Sequence, residues 1–237
     1  LENMSIEECN AKTLDYITPA HIACFGGNIL TINSLIKKNA DFGFSPSNGI
    51  SPFLLAMMNN NYNAAMYLLL NDRTKIGNIN QCTENGMTPL FYAIHYNHLD
   101  MVKLLLDKNA SIFATLKSNG MTPVHYACFM NRPECLFLLD NKLDDEKLYA
   151  ETEAGYPPLQ LAIAYSRQCA KFILESKKES LTLIDPHGYT LYDIAILNGE
   201  YEIARSLPKQ GIMIFDKYQN LSGSKNVEFT ELCQALG

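Results

Sequence analysis

Apolar and polar residues along the chain alternate in short blocks that recur. A clear apolar run with helical spacing is Met101-Val102-Lys103-Leu104-Leu105-Leu106. Before each such run stands a shorter helical signature, read as Thr18-Pro19-Ala20-His21-Ile22-Ala23 and Ser51-Pro52-Phe53-Leu54-Leu55-Ala56. It returns as Thr88-Pro89-Leu90-Phe91-Tyr92-Ala93 and Thr122-Pro123-Val124-His125-Tyr126-Ala127. Two looser copies are Pro157-Pro158-Leu159-Gln160-Leu161-Ala162 and Thr190-Leu191-Tyr192-Asp193-Ile194-Ala195. The starts are 33, 37, 34, 35 and 33 residues apart.

Each position has a physical reason. Thr or Ser caps the free N–H groups at a helix start. Proline suits the next position, where its missing N–H costs nothing. The apolar residue two after the cap and the alanine five after it turn inward. That alanine is common to all six copies, so two helix backbones must approach closely there. Nine residues after the cap stand Gly27, Asn60, Asn97, Asn131, Ser166 and Gly199. Gly and Asn tolerate the left-handed conformation that ends a helix, which predicts a first helix of about eight to nine residues. Seventeen after the cap comes leucine: Leu35, Leu68, Leu105, Leu139, Leu174 and Leu207. Glycine precedes the cap by two at Gly49, Gly86, Gly120, Gly155 and Gly188, three times after Asn, a tight-turn signal. The unit is therefore turn, short helix, reverse, longer helix, extended return. Helices this short are marginal alone. Burying each leucine contributes roughly 1.5–3 kcal/mol, so the units must stack on one another.

This pattern resembles the ankyrin repeat, whose 33-residue period carries a T-P-x-H-x-A core. The resemblance covers Leu14 to Gly211. It implies an all-α ankyrin solenoid, with helix-turn-helix units at right angles to hairpin loops, in six repeats near 14–45, 46–82, 83–116, 117–151, 152–184 and 185–211. Residues 1–13 read as a lead-in or cap. Residues 212–237 read as a cap, with a short helix over Val227 to Leu236, or as the start of a following segment. The copies depart from the pattern at Tyr16 in place of the turn glycine, at Pro157 in place of Thr, and at Leu191 in place of proline. Pro208 should end the last helix early. The long second interval predicts an extended loop over Asp72 to Asn80, and a second, charged insertion lies near Asp144 to Lys147.

Composition narrows the function. With 47% hydrophobic and 19% charged residues the chain is globular. Its net charge of -6 disfavours nucleic acid and anionic membranes as partners. No apolar run reaches the roughly 18 residues of a membrane helix. The seven cysteines include no C-x-x-C pair, which reads as reduced thiols in a cytoplasmic or nuclear setting. The start at Leu1 reads as an excised part of a longer protein.

Catalytic chemistry has no candidate residues. His21 and His125 occupy the histidine position that, in the ankyrin family, supports the loops between units. His95 and His98 are too few for zinc without a thiol or carboxylate. Cys24 and Cys128 sit where a small core residue is expected, with no base beside them. No phosphate-binding glycine loop occurs. The expectation is no cofactor, no metal and no enzyme activity in these residues.

The resemblance implies that partners bind the concave side, through the residue before each cap and the end of each first helix. Here those positions are Ile17, Ile50, Met87, Met121, Tyr156 and Tyr189, then Phe25, Met58, His95, Tyr96, Phe129, Met130, Ala164, Tyr165 and Leu197. An apolar, aromatic and methionine-rich set where solvation alone would give polar residues marks an interaction surface. Part of the set, mainly the residues before the caps, is expected to pack against neighbouring hairpins. The leading expectation is a protein- or peptide-binding module. The alternatives are a regulatory or targeting region of a larger acyltransferase, kinase or ion channel, and a self-associating scaffold.

Overall fold

The computed structural model describes residues 5–46, 49–71, 73–142, 149–153, 155–176 and 188–207. The insertion at Asp144 to Lys147, Pro208, and the helix expected over Val227 to Leu236 lie outside them. The chain divides into two compact units, Leu1–Ser118 and Asn119–Gly237.

The first unit opens with α1 (Ile6–Cys9), closed by a capping box between Ser5 and Glu8. Three helix pairs follow: α2 (Pro19–Phe25) with α3 (Ile29–Lys37), α4 (Pro52–Met58) with α5 (Tyr62–Leu70), and α6 (Pro89–His95) with α7 (Leu99–Asp107). Helix α2 packs on α4 and α4 on α6, while α3 packs on α5 and α5 on α7. The second unit repeats the arrangement with α8 (Pro123–Phe129) and α9 (Pro133–Lys142), α10 (Pro158–Tyr165) and α11 (Arg167–Ser176), α12 (Leu191–Leu197) and α13 (Tyr201–Ser206). All six repeat alanines are buried, as the close helix approach requires. The described residues are therefore all-α, in ankyrin-type helix pairs.

The first helices are mostly seven residues long, slightly shorter than the sequence pattern suggests. One residue of the expected length is taken by the C-cap, as at Gly26, Tyr96 and Met130. The left-handed residue then follows at Gly27, Asn60, Asn97, Asn131 and Gly199.

The fifth copy departs from this. Ser166 has φ -151° and is at once the C-cap of α10 and the N-terminal cap of α11, accepting from Cys169 N–H at 3.3 Å. One connecting residue is missing, so every later position shifts by one. Ile173, not Leu174, is the buried residue of α11; Leu174 is half-buried. The count of seventeen from the cap therefore holds for the other five copies only. In the sixth copy α13 ends at Ser206 and Leu207 is extended, ψ 150°, the conformation a residue before proline prefers.

The first, third and fifth hairpins share a geometry that local sequence only partly announces. Thr83 N–H donates to Met87 O, Gly86 N–H donates to Thr83 O, and the Thr83 hydroxyl accepts from Met87 N–H. Thr152 and Thr13 do the same two copies after and two copies before. This is a type I turn followed by a left-handed residue. Gly86 and Gly155 fill that place, and Tyr16 adopts the same conformation with φ 60° although it is not glycine. The turn demands the conformation, and the surrounding bonds hold a tyrosine in it at a cost of roughly 1–2 kcal/mol.

Candidate functional site

The site is built on the short helices and the hairpins that precede them. Two of the hairpins are tied forward by histidine. Thr18 N–H and its hydroxyl reach His21 Nδ1 at 3.2 and 2.7 Å, so the ring's other nitrogen carries the proton and donates to Ile50 O at 2.9 Å. His125 repeats this with Thr122 and with Tyr156 O at 3.0 Å. Burial pushes the His125 pKa down to about 4, against a smaller opposing effect of the Tyr156 carbonyl. His21 is lowered for the same reason. Neutral imidazoles thus fix the residues before the next caps, Ile50 and Tyr156. In the third copy Phe91 takes the histidine place, and the buried Thr88 hydroxyl has no hydrogen-bond partner. In the sixth, Asp193 takes it and accepts from Thr190 N–H and hydroxyl at 2.9 and 2.8 Å.

His95 and His98 serve the same scaffold. His98 Nε2 meets Asn60 Oδ1 at 2.6 Å and its ring lies 4.5 Å from that of Tyr62. His95 contacts Tyr96 edge-on at 4.8 Å. Cys24 and Cys128 are fully buried, and burial pushes the Cys24 thiol up to about 12, which suits a core residue. Cys169 is drawn below its usual value chiefly by a hydrogen bond with the Cys128 side chain. Among the described residues no group of three His, Cys, Asp or Glu side chains could hold a metal, and no helix is long and apolar enough to cross a membrane.

The expected binding positions separate by exposure. In the first unit Phe25 is 60% exposed, whereas Ile50, Met58, Met87, His95 and Tyr96 are half-buried. Ile50, Met58 and Met87 come together on one cleft of about 760 Å³, with Tyr92 and, on its polar side, Gln81, Asn85 and Lys117. Tyr96 is held by its hydroxyl, which donates to Met58 O at 2.9 Å, so it also joins neighbouring helix pairs. In the second unit Met121, Met130, Tyr156 and Tyr189 are half-buried, while Phe129 and Tyr165 are 39% and 54% exposed. These two rings meet edge to face at 4.9 Å on consecutive copies, α8 and α10. Ile17 and Leu197 are exposed, and Ala164 is half-buried.

Sequence reasoning placed the long loop over Asp72 to Asn80 but missed three contributions to the site. Gln81 accepts from Ser51 N–H at 2.9 Å and donates to Gly49 O at 3.1 Å, bracing the second hairpin. Asn61 donates to the terminal carbonyls of α2, Cys24 O at 2.9 Å and Phe25 O at 2.6 Å. The long loop over 73–80 is a structural wall: Asn78 and Asn80 line the cleft, and Asn80 also accepts from Ser111 N–H at 2.7 Å. The threonine of the hairpins was legible as Thr-Glu-x-Gly at Thr83 and Thr152. The amide bridges were not, because their partners lie about 30 or more residues away.

Comparison with known proteins agrees with this architecture. Residues 75–149 match the family model described as ankyrin repeats (3 copies). The tyrosine-protein kinase HTK16 of Hydra vulgaris is 31% identical over 108 residues, 45% of this chain and 14% of that protein. Alpha-latrotoxin-Lg1a of Latrodectus geometricus is 36% identical over 75 residues, 32% of this chain and 5% of the toxin. The chain thus spans only a small part of these relatives. Among solved structures, an ankyrin repeat domain from Acinetobacter baumannii superposes with TM-score 0.69 at 20% identity, over 79% of this chain and 95% of that one. A chain of the complex of a Bdellovibrio bacteriovorus predatory endopeptidase with an immunity protein does so with TM-score 0.67 at 19% identity, over 85% and 100%. Residues 75–149 are thus ankyrin repeats, and the helix pairs on either side of them share the ankyrin-repeat fold.

Proposed function

We propose that the chain binds a protein or peptide partner through the face formed by its hairpins and first-helix ends. Ankyrin repeats are in general protein-interaction modules. The observation that carries the reading here is the Phe129–Tyr165 pair, two large aromatic rings in mutual contact and partly open to solvent. Aromatic residues of this kind anchor interfaces because they bury much area at little entropic cost. Within the first unit, the cleft holding Ile50, Met58 and Met87 offers an apolar recess of its own. The chemistry fits a partner with apolar or aromatic side chains.

The test compares affinity capture by the parent chain and by the Phe129→Ala/Tyr165→Ala double variant, with captured proteins identified and then remeasured as purified pairs. Tyr96 is left in place because its hydroxyl bonds Met58. The expected result is affinity weakened roughly 30-fold or more, with stability lowered by about 1 kcal/mol or less. Unchanged binding, or an unfolded variant, would count against the assignment. A second reading, a regulatory or targeting region within a larger protein, is supported by the much greater length of the kinase and the toxin. It differs only in where the activity resides.

A further inference from the structure

The first hairpin and the segment that approaches the second enclose a cleft of about 540 Å³, lined by Lys12, Asp15, Tyr16 and Phe44 among others. Its makeup differs from that of the apolar recess in the same unit. Two aromatic rings and a carboxylate form it, and a cation is already in it. The Lys12 ammonium stands 3.7 Å from the centre of the Phe44 ring. The ring is not free to adapt around that ammonium. Its edge contacts His21 at 6.2 Å and 82°, and His21 is itself bonded to Thr18 and Ile50. Tyr16, 57% exposed, is held by the hairpin in its left-handed conformation.

An aromatic face carries negative charge density that attracts an ammonium or guanidinium. Asp15 at the rim adds a full negative charge, and the chain as a whole carries -6. We propose that this cleft is a recognition subsite for a cationic side chain, lysine or arginine, of the protein partner, with Lys12 occupying it in the free chain. The subsite rests on the reading of the hairpin face as a protein-binding surface. It adds that the partner carries a positive charge placed to reach the first hairpin.

The partner's cation must displace Lys12, so removing Lys12 should strengthen binding. The experiment uses choline as the probe and 3,3-dimethylbutan-1-ol, its neutral isostere, as the control. Ring resonances of Tyr16 and Phe44 are followed in the whole chain by NMR. Choline should shift them saturably, binding roughly three- to fivefold more tightly than the isostere. Lys12→Ala should tighten choline by a similar factor, and Phe44→Leu, which keeps apolar packing against His21, should abolish the preference for the cation. Equal binding of the two probes overturns the proposal, since the cleft would then be merely apolar. Absence of saturable shifts in the Lys12→Ala chain overturns it as well. The probes need no protein partner. Partner binding that survives the Phe129 and Tyr165 changes therefore counts against the interaction face alone, and the choline result stands apart from it.

Discussion

Replacing Gly86 by alanine tests how the hairpins are held. Gly86 has φ +86°, and a Cβ there would lie 2.6 Å from Thr115 O and 3.1 Å from Lys117 N. Both neighbours are backbone, so neither can swing aside. Two penalties combine. The left-handed conformation costs a non-glycine residue roughly 1–2 kcal/mol. The clash must also push away the segment whose Lys117 N–H donates to Asn85 O at 3.0 Å, a bond worth roughly 0.5–1.5 kcal/mol net. Against them, alanine restricts the unfolded chain, which returns about 0.4–1 kcal/mol. The expected loss is about 2 kcal/mol. Gly199 supplies the internal control: φ is +74°, but nothing lies within 4 Å of its added Cβ. Gly199→Ala should therefore show the conformational penalty alone, about 1 kcal/mol or less after the unfolded-state gain. Urea unfolding of the three proteins at one pH gives the comparison from midpoint shifts at common slope. If the two substitutions cost the same, the close approach of the 115–117 backbone to the hairpin is not what Gly86 serves, and the reasoning fails.

Two further outcomes follow from the scaffold. Ile173→Ala should destabilise by about 2–5 kcal/mol while Leu174→Ala costs clearly less; denaturation showing the reverse order would restore the unshifted register in the fifth copy. Stability should fall on acidification. The unfolded imidazole of His125 binds its proton near pH 6.5, the folded one only near 4, so between those values the unfolded chain takes up more protons. The loss is about 3 kcal/mol once pH is below 4, and His21 acts in the same direction. Denaturation across this range in the parent and in His125→Gln, which cannot titrate, should show a smaller acid-side slope in the variant; parallel slopes would refute the neutral, buried imidazole.

The sequence by itself determined the unit and its period. Caps, prolines, buried alanines and left-handed asparagines act over a few residues, so Thr18-Pro19 or Asn97 can be read without knowing what packs on them. The side of the helix that each candidate position takes was legible to the same extent, since a fixed place in the unit fixes that side. Tertiary structure decided the rest. One missing residue after Tyr165 moved Ile173 into the core in place of Leu174, which only the packing of α11 exposes. The hairpin bonds held Tyr16 in a backbone conformation its own chemistry disfavours. Gln81 and Asn61 found carbonyl and amide partners about 30 or more residues away. Exposure separated Phe129 and Tyr165 from the half-buried Met121 and Tyr156, because solvent access depends on how neighbouring units cover a position, and no local pattern contains that information.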